Sequence, residues 1–282
     1  MILIADGGST KTEWREVTNG KSGISVLSAG INPYFLSSEE MLNLLKKDLA
    51  PFSSLRPAHI WFYGTGCNSE AKNEKVRAVL FSMFPDSNIC VGSDLLGAAR
   101  ALCRNKPGIA CIIGTGSNSC YYNGSEIAAN VSPLGYILGD EGGGAVLGKK
   151  LISAVLKKQV SGEIIDSFFE TYKMTAAEIL DSVYTKPFPN KFLGQFSRFL
   201  SDNIQHTQLQ DIVISSFDEF IRRNVLQYPE AKDYKVNFTG SVAFHFRSLL
   251  EACLSMNGLS AGKITLSPTD DLVVYHKDAS YE

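Results

Sequence analysis

The sequence predicts an α/β protein with two lobes built on one plan. Its 282 residues exceed what one small core requires, so about two domains are expected. Strand-like and helix-like segments alternate along the first part of the chain, which favours an α/β fold. A strand, a glycine-rich turn, a second strand and an Asn-Gly pair also occur twice. Such an internal repeat indicates duplicated structural units.

Composition and charge narrow the range of partners. Hydrophobic residues make up 44% of the chain and charged residues 20%, as in globular proteins that bury a core. The formal net charge is -2, from 27 basic and 29 acidic residues, so neither a nucleic-acid surface nor a membrane-attracting basic stretch is predicted. The chain begins without a basic leader, and no apolar run approaches the ~18 residues of a membrane span. We therefore expect a cytoplasmic protein that binds small molecules.

The cysteines do not form a metal-binding pattern. No C-x-x-C pair occurs, and the four histidines lie far from the cysteines in sequence. Several of the cysteines lie in apolar runs, as buried thiols do in a reducing cytoplasm. The six are Cys67, Cys90, Cys103, Cys111, Cys120 and Cys253.

The first repeat begins the chain. An apolar strand over residues 2–5 leads into a turn, and a strand over 12–17 then ends at Asn19-Gly20. The turn contains Asp6, Gly7, Gly8, Ser9, Thr10 and Lys11. Glycines let backbone N–H groups approach phosphate oxygens, hydroxyls add donors, and a carboxylate can hold magnesium through water. An ordinary hairpin turn also uses Gly and Ser, so one copy alone favours the ordinary turn.

The second repeat favours the interpretation of both glycine-rich turns as phosphate-binding loops. A strand over residues 109–113 leads into Gly114, Thr115, Gly116 and Ser117, and a strand over 118–122 ends at Asn123-Gly124. An Asn-Gly pair after each second strand predicts a hairpin, because both central residues of a type I′ turn need positive φ. We place the boundary between the lobes at Lys106-Pro107-Gly108, with residues 1–107 in the first lobe and 108–282 in the second.

The remaining elements follow from apolar spacing, caps and breakers. Ser37 and Glu40 have capping-box spacing, and Ser93 is a predicted N-cap. The first lobe is predicted to contain helices over 37–49, 70–84 and 93–102 and strands over 59–63 and 89–91. The second lobe is predicted to contain helices over 151–160, 162–172, 175–184, 191–203, 209–226 and 242–256, a strand over 235–239, and a strand and loop from residue 263.

Three polar residues are candidates for chemistry, and each has a plainer alternative. Asp94 lies in the first turn of a helix, where it is either a general base or a carboxylate that stabilises the helix dipole by ~0.3–1 kcal/mol. Asn32 precedes a proline and is either a ligand contact or part of a turn. Asp140 follows Gly139 in a glycine-rich segment, which is either a flexible loop or a place where a carboxylate meets sugar hydroxyls.

Three further glycine-containing patterns could be ligand-binding motifs. Thr239-Gly240-Ser241-Val242-Ala243 places a small-residue turn between a strand and a helix, where either a ligand packs on the backbone or glycine serves only the turn. Residues 143–150 resemble a Walker A loop, but Lys150 stands where Ser or Thr binds magnesium, and an acidic turn rather than a strand precedes the segment. The Gly-Thr-Gly triplets at 64–66 and 114–116 lack the third glycine of a dinucleotide fingerprint. Nicotinamide chemistry is therefore not predicted.

Taken in order, these segments resemble the acetate kinase, hsp70 and actin superfamily. Within it they resemble the N-acetylglucosamine kinase-like branch, which is grouped with the BadF/BadG/BcrA/BcrD-type ATPases. The resemblance covers most of the chain and implies a two-lobe actin-like ATPase fold of duplicated ribonuclease H-like domains with an interlobe cleft. The matching pieces are residues 6–12, Asn32, Ser93-Asp94, and residues 114–119, 139–142 and 240–243.

The resemblance also implies an activity and the residues that carry it. The implied activity is ATP-dependent phosphorylation of an amino sugar, with Asp94 as the catalytic base for the 6-hydroxyl and Asp6 as the contact to Mg2+. The implied sugar contacts are Asn32, Asp94, Asn118, Gly139 and Asp140. The implied ATP contacts are Gly7, Gly8, Ser9, Thr10, Lys11, Gly114, Thr115, Gly116, Ser117, Gly240, Ser241 and Ala243. A homodimer formed through the helical second lobe is a further expectation.

Two departures from the family pattern leave alternatives open. Sugar kinases of this branch often carry a Gly-Trp-Gly type segment before Gly-Asp-Glu, whereas residues 133–136 here are Pro-Leu-Gly-Tyr. This departure leaves the identity of the sugar open, with N-acetylglucosamine expected ahead of N-acetylmuramic acid or another hexosamine. Dehydratase activators of the same group hold an iron–sulfur cluster with a cysteine pair that has no counterpart here. An ATPase of the BadF type acting on a protein partner is the second hypothesis, and a sugar-sensing protein without catalysis is the third.

Overall fold

The computed structural model describes residues 1–8 and 11–278, which form two compact units. Unit 1 comprises Met1–Lys106, Gly124–Ile127 and the described residues from Ser267 onward. Unit 2 comprises Pro107–Asn123 and Ala128–Leu266. Each unit is considered by itself below.

Unit 1 is built on a mixed five-stranded sheet of order β3-β2-β1-β4-β5. The first three strands form an antiparallel meander, while β4 and β5 run parallel to β1. The strands are β1 (Ile2–Gly7), β2 (Lys11–Thr18), β3 (Lys21–Ala29), β4 (His59–Gly64) and β5 (Asn88–Ser93). The helices between them are α1 (Ser38–Asp48), α2 (Glu70–Met83) and α3 (Asp94–Cys103), with a short 3-10 helix at Ala50–Phe52.

Local sequence signals account for the start of these elements. Asn19 and Gly20 have φ of 51° and 71°, so the predicted type I′ geometry between β2 and β3 is confirmed. Ser37 and Glu40 form a reciprocal capping box at the start of α1, and Ser93 accepts a hydrogen bond from the backbone N–H of Leu96. Both predicted caps are therefore confirmed.

Unit 2 repeats the plan of unit 1 with a sheet of order β10-β9-β6-β7-β8. The central strand β6 is antiparallel to β7 and parallel to β9, which in turn is parallel to β10. The strands are β6 (Gly108–Ile113), β7 (Ser117–Tyr122), β8 (Ile127–Ala129), β9 (Val236–Thr239) and β10 (Ala261–Thr265). The connection from β7 to β8 differs from the prediction, because only Gly124 has positive φ there and a longer loop replaces the two-residue turn.

Most of unit 2 is helical, and one aromatic-rich core lies among the helices and the sheet. The helices are α4 (Gly135–Leu138), α5 (Gly144–Leu156), α6 (Gly162–Tyr172), α7 (Ala176–Tyr184), α8 (Pro189–Gly194), α9 (Ser197–Asp202), α10 (Thr207–Arg223), α11 (Ser241–His245) and α12 (Arg247–Met256). Short 3-10 helices lie at Val225–Gln227 and Pro229–Lys232.

Three predicted helices of the second lobe had wrong bounds. The segment 191–203 is two helices, α8 and α9, and 242–256 is also two, α11 and α12. Apolar spacing continues through the first break because Leu193, Phe196 and Leu200 all enter the same core. Helix α5 begins at Gly144, earlier than predicted, and its glycines permit close packing: a Cβ at Gly148 would lie 1.9 Å from the carbonyl oxygen of Leu193.

The C-terminal segment was predicted as strand and loop, and this was wrong beyond residue 266. Helix α13 (Thr269–Asp278) follows β10 and packs against α3 and β1 of unit 1. Its buried residues are Thr269, Leu272, Val273 and His276. Two of these four are polar, so the apolar residues alone show no helical period in the sequence. His276 is paired with the Tyr63 hydroxyl, 2.9 Å from its Nε2 atom, and burial lowers its pKa to about 3, with help from the charge of Arg100.

The predicted fold class is confirmed: two mixed sheets with helices, built on one plan, form an actin-like two-unit architecture. Across residues 1–8 and 11–278, none of the helices has the length and apolar character needed to cross a bilayer.

Candidate functional site

The polar candidates of unit 1 lie where three parallel strands end. Gly7 of β1 is opposite Gly64 of β4, and Gly64 is opposite Ser93 of β5, so the three strands finish in one row. Asp94 follows this row directly, and Asp6 lies one residue before it. Open α/β sheets bind ligands at the carboxyl ends of their parallel strands. This edge of the sheet is therefore the candidate site of unit 1.

Both carboxylate oxygens of Asp94 are held by hydrogen bonds. The hydroxyl of Thr65 donates to Oδ2 at 2.7 Å, and the backbone N–H of Leu95 donates to Oδ1 at 2.9 Å. Burial raises the pKa of Asp94, and these donors oppose the increase because they favour the charged form. The side chain keeps part of its surface exposed. Asp94 is thus a fixed, partly desolvated carboxylate that can still meet a ligand.

Asp6 has a strongly raised pKa. Burial is the main cause, the negative charges of Asp94 and Glu13 add to it, Lys11 opposes them, and together they raise the pKa to about 7. Glu13 lies opposite Asp6 on β2. A hard cation would relieve this repulsion, and carboxylate oxygen is the ligand that Mg2+ prefers. Among the described residues, no group of three or more His, Cys, Asp or Glu side chains is placed to hold a metal ion.

The first glycine turn joins β1 to β2. The backbone N–H of Gly8 donates to the carbonyl of Lys11 at 2.9 Å, and the N–H of Thr65 donates to the carbonyl of Gly7 at 2.8 Å. A Cβ at Gly7 would lie 3.0 Å from the ring of Phe62, which explains a glycine there. The predicted ATP contacts Ser9 and Thr10 lie outside the described residues.

Asn32 lies near Thr65 within unit 1. Its Oδ1 atom accepts a hydrogen bond from the backbone N–H of Tyr34 at 3.0 Å and would be only 2.4 Å from a Cβ at Gly66. Gly66 has a φ of 86°, a conformation that side-chain-bearing residues rarely adopt. The hydrogen bond to Tyr34 agrees with the turn interpretation of Asn32, and the side chain lies against Gly66, the residue after Thr65.

In unit 2 the second glycine turn is bonded to Asp140. The backbone N–H of Ser117 donates to Oδ1 of Asp140 at 3.1 Å, and a Cβ at Gly116 would lie 2.7 Å from the other carboxylate oxygen. The turn itself closes through a hydrogen bond from the N–H of Gly114 to the carbonyl of Gly116. Burial raises the pKa of Asp140, the Ser117 donor lowers it, and the charge of Glu141 raises it.

The segment around Asp140 is closely packed and has an unusual backbone conformation. Asp140 has a φ of 53°, in the left-handed region, and a Cβ at the preceding Gly139 would lie 2.1 Å from the carbonyl oxygen of Pro133. The next residue, Glu141, is buried and forms an ion pair of 2.8 Å with Arg223. Strained backbone of this kind persists only when its surroundings enforce it, and it concentrates at functional sites.

The start of α5 packs on the second glycine turn. The N–H groups of Gly144 and Ala145 donate to the carbonyls of Gly114 and Thr115, each at 2.8 Å. The segment rejected as a Walker A loop is thus the support of this turn. The first backbone N–H groups of α5 therefore donate to carbonyl groups of the protein itself.

The third small-residue turn adjoins the second. Gly240 has a φ of 118°, and a Cβ there would lie 2.4 Å from the carbonyl oxygen of Ile113 at the end of β6. Ser241 is exposed at the start of α11, whereas Ala243 is fully buried. Asn118 lies on β7, where its Oδ1 atom accepts hydrogen bonds from the N–H of Ser119 and the amide of Asn130.

Each unit thus brings together one set of predicted residues. Unit 1 holds Asp6, Asn32, Asp94 and the first turn, and unit 2 holds Asn118, Asp140 and the other two turns. Sequence reasoning missed Thr65, which it considered only as part of an incomplete dinucleotide fingerprint. The available signal was that Gly64-Thr65-Gly66 repeats the triplet of the second turn.

Comparison with known proteins places the chain in a class. The MreB5 protein of Spiroplasma citri, solved with ADP, matches 97% of this chain and 94% of its own with a TM-score of 0.60 at 10% identity. A Chromobacterium violaceum protein, provisionally named an N-acetylglucosamine kinase, matches 97% and 98% with a TM-score of 0.71 at 14% identity. At such low identities the similarity shows only that the fold is shared. This fold is the one found in two-unit actin-like ATPases.

A third structure is far more similar. It is a Porphyromonas gingivalis protein, also provisionally named an N-acetylglucosamine kinase, with 45% identity, 99% of both chains covered and a TM-score of 0.95. The chain therefore belongs to the N-acetylglucosamine kinase-like family. No model of a protein family matches the chain, and no curated protein matches it either.

Proposed function

We propose that the chain is an ATP-dependent kinase that phosphorylates the 6-hydroxyl of an amino sugar, with N-acetylglucosamine as the first candidate. The observation that carries the proposal is the carboxylate of Asp94, held by two donors at the ends of three parallel strands beside Asp6. The provisional name of the 45% identical relative supports N-acetylglucosamine as the sugar.

In the proposed reaction Asp94 is the general base. It accepts the proton of the sugar's 6-hydroxyl as that oxygen bonds to the γ-phosphorus, while the bond from phosphorus to the bridging oxygen breaks and ADP leaves. Asp94 suits this role because burial raises its pKa, which makes the carboxylate a stronger proton acceptor. Its two hydrogen bonds keep the accepting oxygens in a fixed place.

The other predicted residues bind and orient the two substrates. The glycine turns of both units donate backbone N–H groups to ATP phosphates, and the turn at Gly240 accommodates the adenosine part. Asp6 is the residue proposed to hold Mg2+ through water, and the cation would supply charge neutralisation at the phosphates. Asn32 and Asp140 contact sugar hydroxyls. Asp140 also supports the second turn through Ser117.

The test is ATP-dependent phosphorylation over a panel of sugars, with Asp94→Asn as the control for the base. We expect turnover with N-acetylglucosamine that falls by roughly 10²–10⁴-fold in Asp94→Asn, while ATP binding by calorimetry is retained. The panel should include glucosamine, N-acetylmuramic acid and glucose, because residues 133–136 depart from the family pattern. ATP binding without sugar-dependent turnover would instead favour an ATPase acting on a protein partner or a sugar sensor.

A further inference from the structure

One residue of unit 1 bonds to both the first glycine turn and the proposed base. Thr65 follows β4, and its backbone N–H donates to the carbonyl of Gly7 at 2.8 Å. Its side-chain hydroxyl donates to Oδ2 of Asp94 at 2.7 Å. Thr65 is partly exposed, so it lies at the surface where the ligands are proposed to bind.

We propose that Thr65 is a positioning residue that fixes the carboxylate of Asp94 relative to the first glycine turn. This inference rests on the proposed function, because it gives Thr65 a task in the reaction only if Asp94 is the base. Without the hydroxyl of Thr65, Oδ2 loses its side-chain donor, while the backbone N–H of Leu95 still donates to Oδ1. One hydrogen bond fixes one oxygen, whereas two fix the orientation of the carboxylate plane.

The arrangement leaves the base able to act. An ionised carboxylate offers about four lone-pair positions over its two oxygens, and Thr65 and Leu95 use one on each. A sugar hydroxyl can therefore still donate to Asp94. Because proton transfer requires this hydroxyl to lie within hydrogen-bond distance, a displacement of about 1 Å costs on the order of 10²-fold in rate.

A plainer alternative is that Thr65 only satisfies a buried carboxylate and contributes to stability. Measured kinetic constants distinguish the two roles. A residue that orients the base affects the chemical step, and so kcat, while binding of either substrate stays unchanged. A residue that only stabilises the fold changes the amount of active protein and its unfolding temperature.

The test compares Thr65→Val with Thr65→Ser. Valine keeps the branched shape and the backbone bond to Gly7 but lacks the hydroxyl, whereas serine keeps the hydroxyl. We expect kcat to fall about 10–100-fold in Thr65→Val with both KM values within about twofold of wild type, and to recover to within about threefold in Thr65→Ser. Thr185→Val is the matched control, because Thr185 also donates to an aspartate, Asp181, at 2.6 Å but lies in unit 2 at the end of α7.

Wild-type kcat in Thr65→Val, or equal losses in the valine and serine variants, would overturn the inference. Crystal structures of wild type and Thr65→Val give a readout that does not depend on the substrate. We expect one Asp94 rotamer in wild type and a displaced or split side chain in Thr65→Val. If wild type phosphorylates no sugar, the proposed function fails by itself, and an unmoved Asp94 in Thr65→Val then refutes the positioning role separately.

Discussion

Burial raises the pKa of Asp6, Asp94 and Asp140, three carboxyl groups that the sequence marks as ligand contacts. Each also stays partly exposed, so each can reach a ligand. Carboxylates at the surface normally remain fully solvated, and groups with strongly perturbed pKa values cluster at functional sites. The protein therefore holds three partly desolvated carboxyl groups, and a cation or hydroxyl donors would stabilise their charged forms.

Asp6 gives a pH-dependence that can be measured without any ligand. Its folded-state pKa of about 7 lies above the ordinary value of 3.8 for an aspartate, so the folded state favours the protonated form. Stability from this group is fully present below about pH 4 and is lost as pH rises through 7. Asp6→Asn should not lose this stability as pH rises. The free energy of unfolding of Asp6→Asn relative to wild type should therefore increase by roughly 2–3 kcal/mol between pH 5 and pH 8.

Chemical unfolding of the ligand-free proteins at both pH values measures this effect. Asp86→Asn is the control, because Asp86 is exposed in the loop after α2. A stability difference between Asp6→Asn and wild type that stays constant with pH would show that Asp6 is not held protonated by its surroundings.

The sequence predicted some of these positions and could not predict others. Ser93 before Asp94 has the pattern of an N-cap, and the structure has that cap. Thr65 was missed because its bond to Asp94 depends on β4 lying beside β5 in one register, and no local pattern encodes that pairing. Asp140 was recognised among glycines, but its contact with Ser117 joins residues 23 positions apart.

The two glycine turns differ in which atoms lie where a glycine Cβ would be. At Gly116 the space that a Cβ would fill lies against the carboxylate of Asp140. At Gly7 the corresponding space lies against Phe62. The first case brings a charged group into contact with a proposed phosphate turn, so Gly116 should matter for ligand binding more than for folding.

Gly116→Ala tests this distinction. The added Cβ would lie 2.7 Å from a carboxylate oxygen of Asp140, so the carboxylate must move and its bond from Ser117 is lost. The moved carboxylate would give up its proposed contact with the ligands, and a hydrogen bond to a charged group contributes about 1.5–3 kcal/mol, so we expect ATP and sugar to bind roughly 10–100-fold more weakly. The unfolding temperature should change little, because the displaced group is the end of a side chain.

Calorimetric titration of both ligands provides the measurement. Gly162→Ala is the matched control, because no atom lies within 4 Å of a Cβ at that position, the first residue of α6. Wild-type affinity for both ligands in Gly116→Ala would contradict the role given to Asp140.

Two sheets of the same plan form the framework of the whole molecule. In both, a central strand has an antiparallel neighbour on one side and a parallel neighbour on the other. The sequence revealed this plan because the strand, glycine turn and strand occur twice. It did not reveal that the chain returns to unit 1 at its end, since α13 buries only a few side chains against α3 and β1.

Sugar identity is the part of the account that the fold does not determine. The family relationship rests on 45% identity across nearly the whole of both chains. Within that family, the segment before Asp140 carries Leu134 with a φ of 60°, exposed together with Ile137 and Leu138. The sugar is therefore identified from the phosphorylated product.

The most direct measurement of the central claim is NMR of the product formed from N-acetylglucosamine, ATP and Mg2+. We expect a new phosphate monoester whose phosphorus couples to both protons on carbon 6, formed together with ADP in equal amounts. We also expect 6-deoxy-N-acetylglucosamine to bind but to give no product. ADP release without a sugar phosphate, or a phosphate on another hydroxyl, would contradict it.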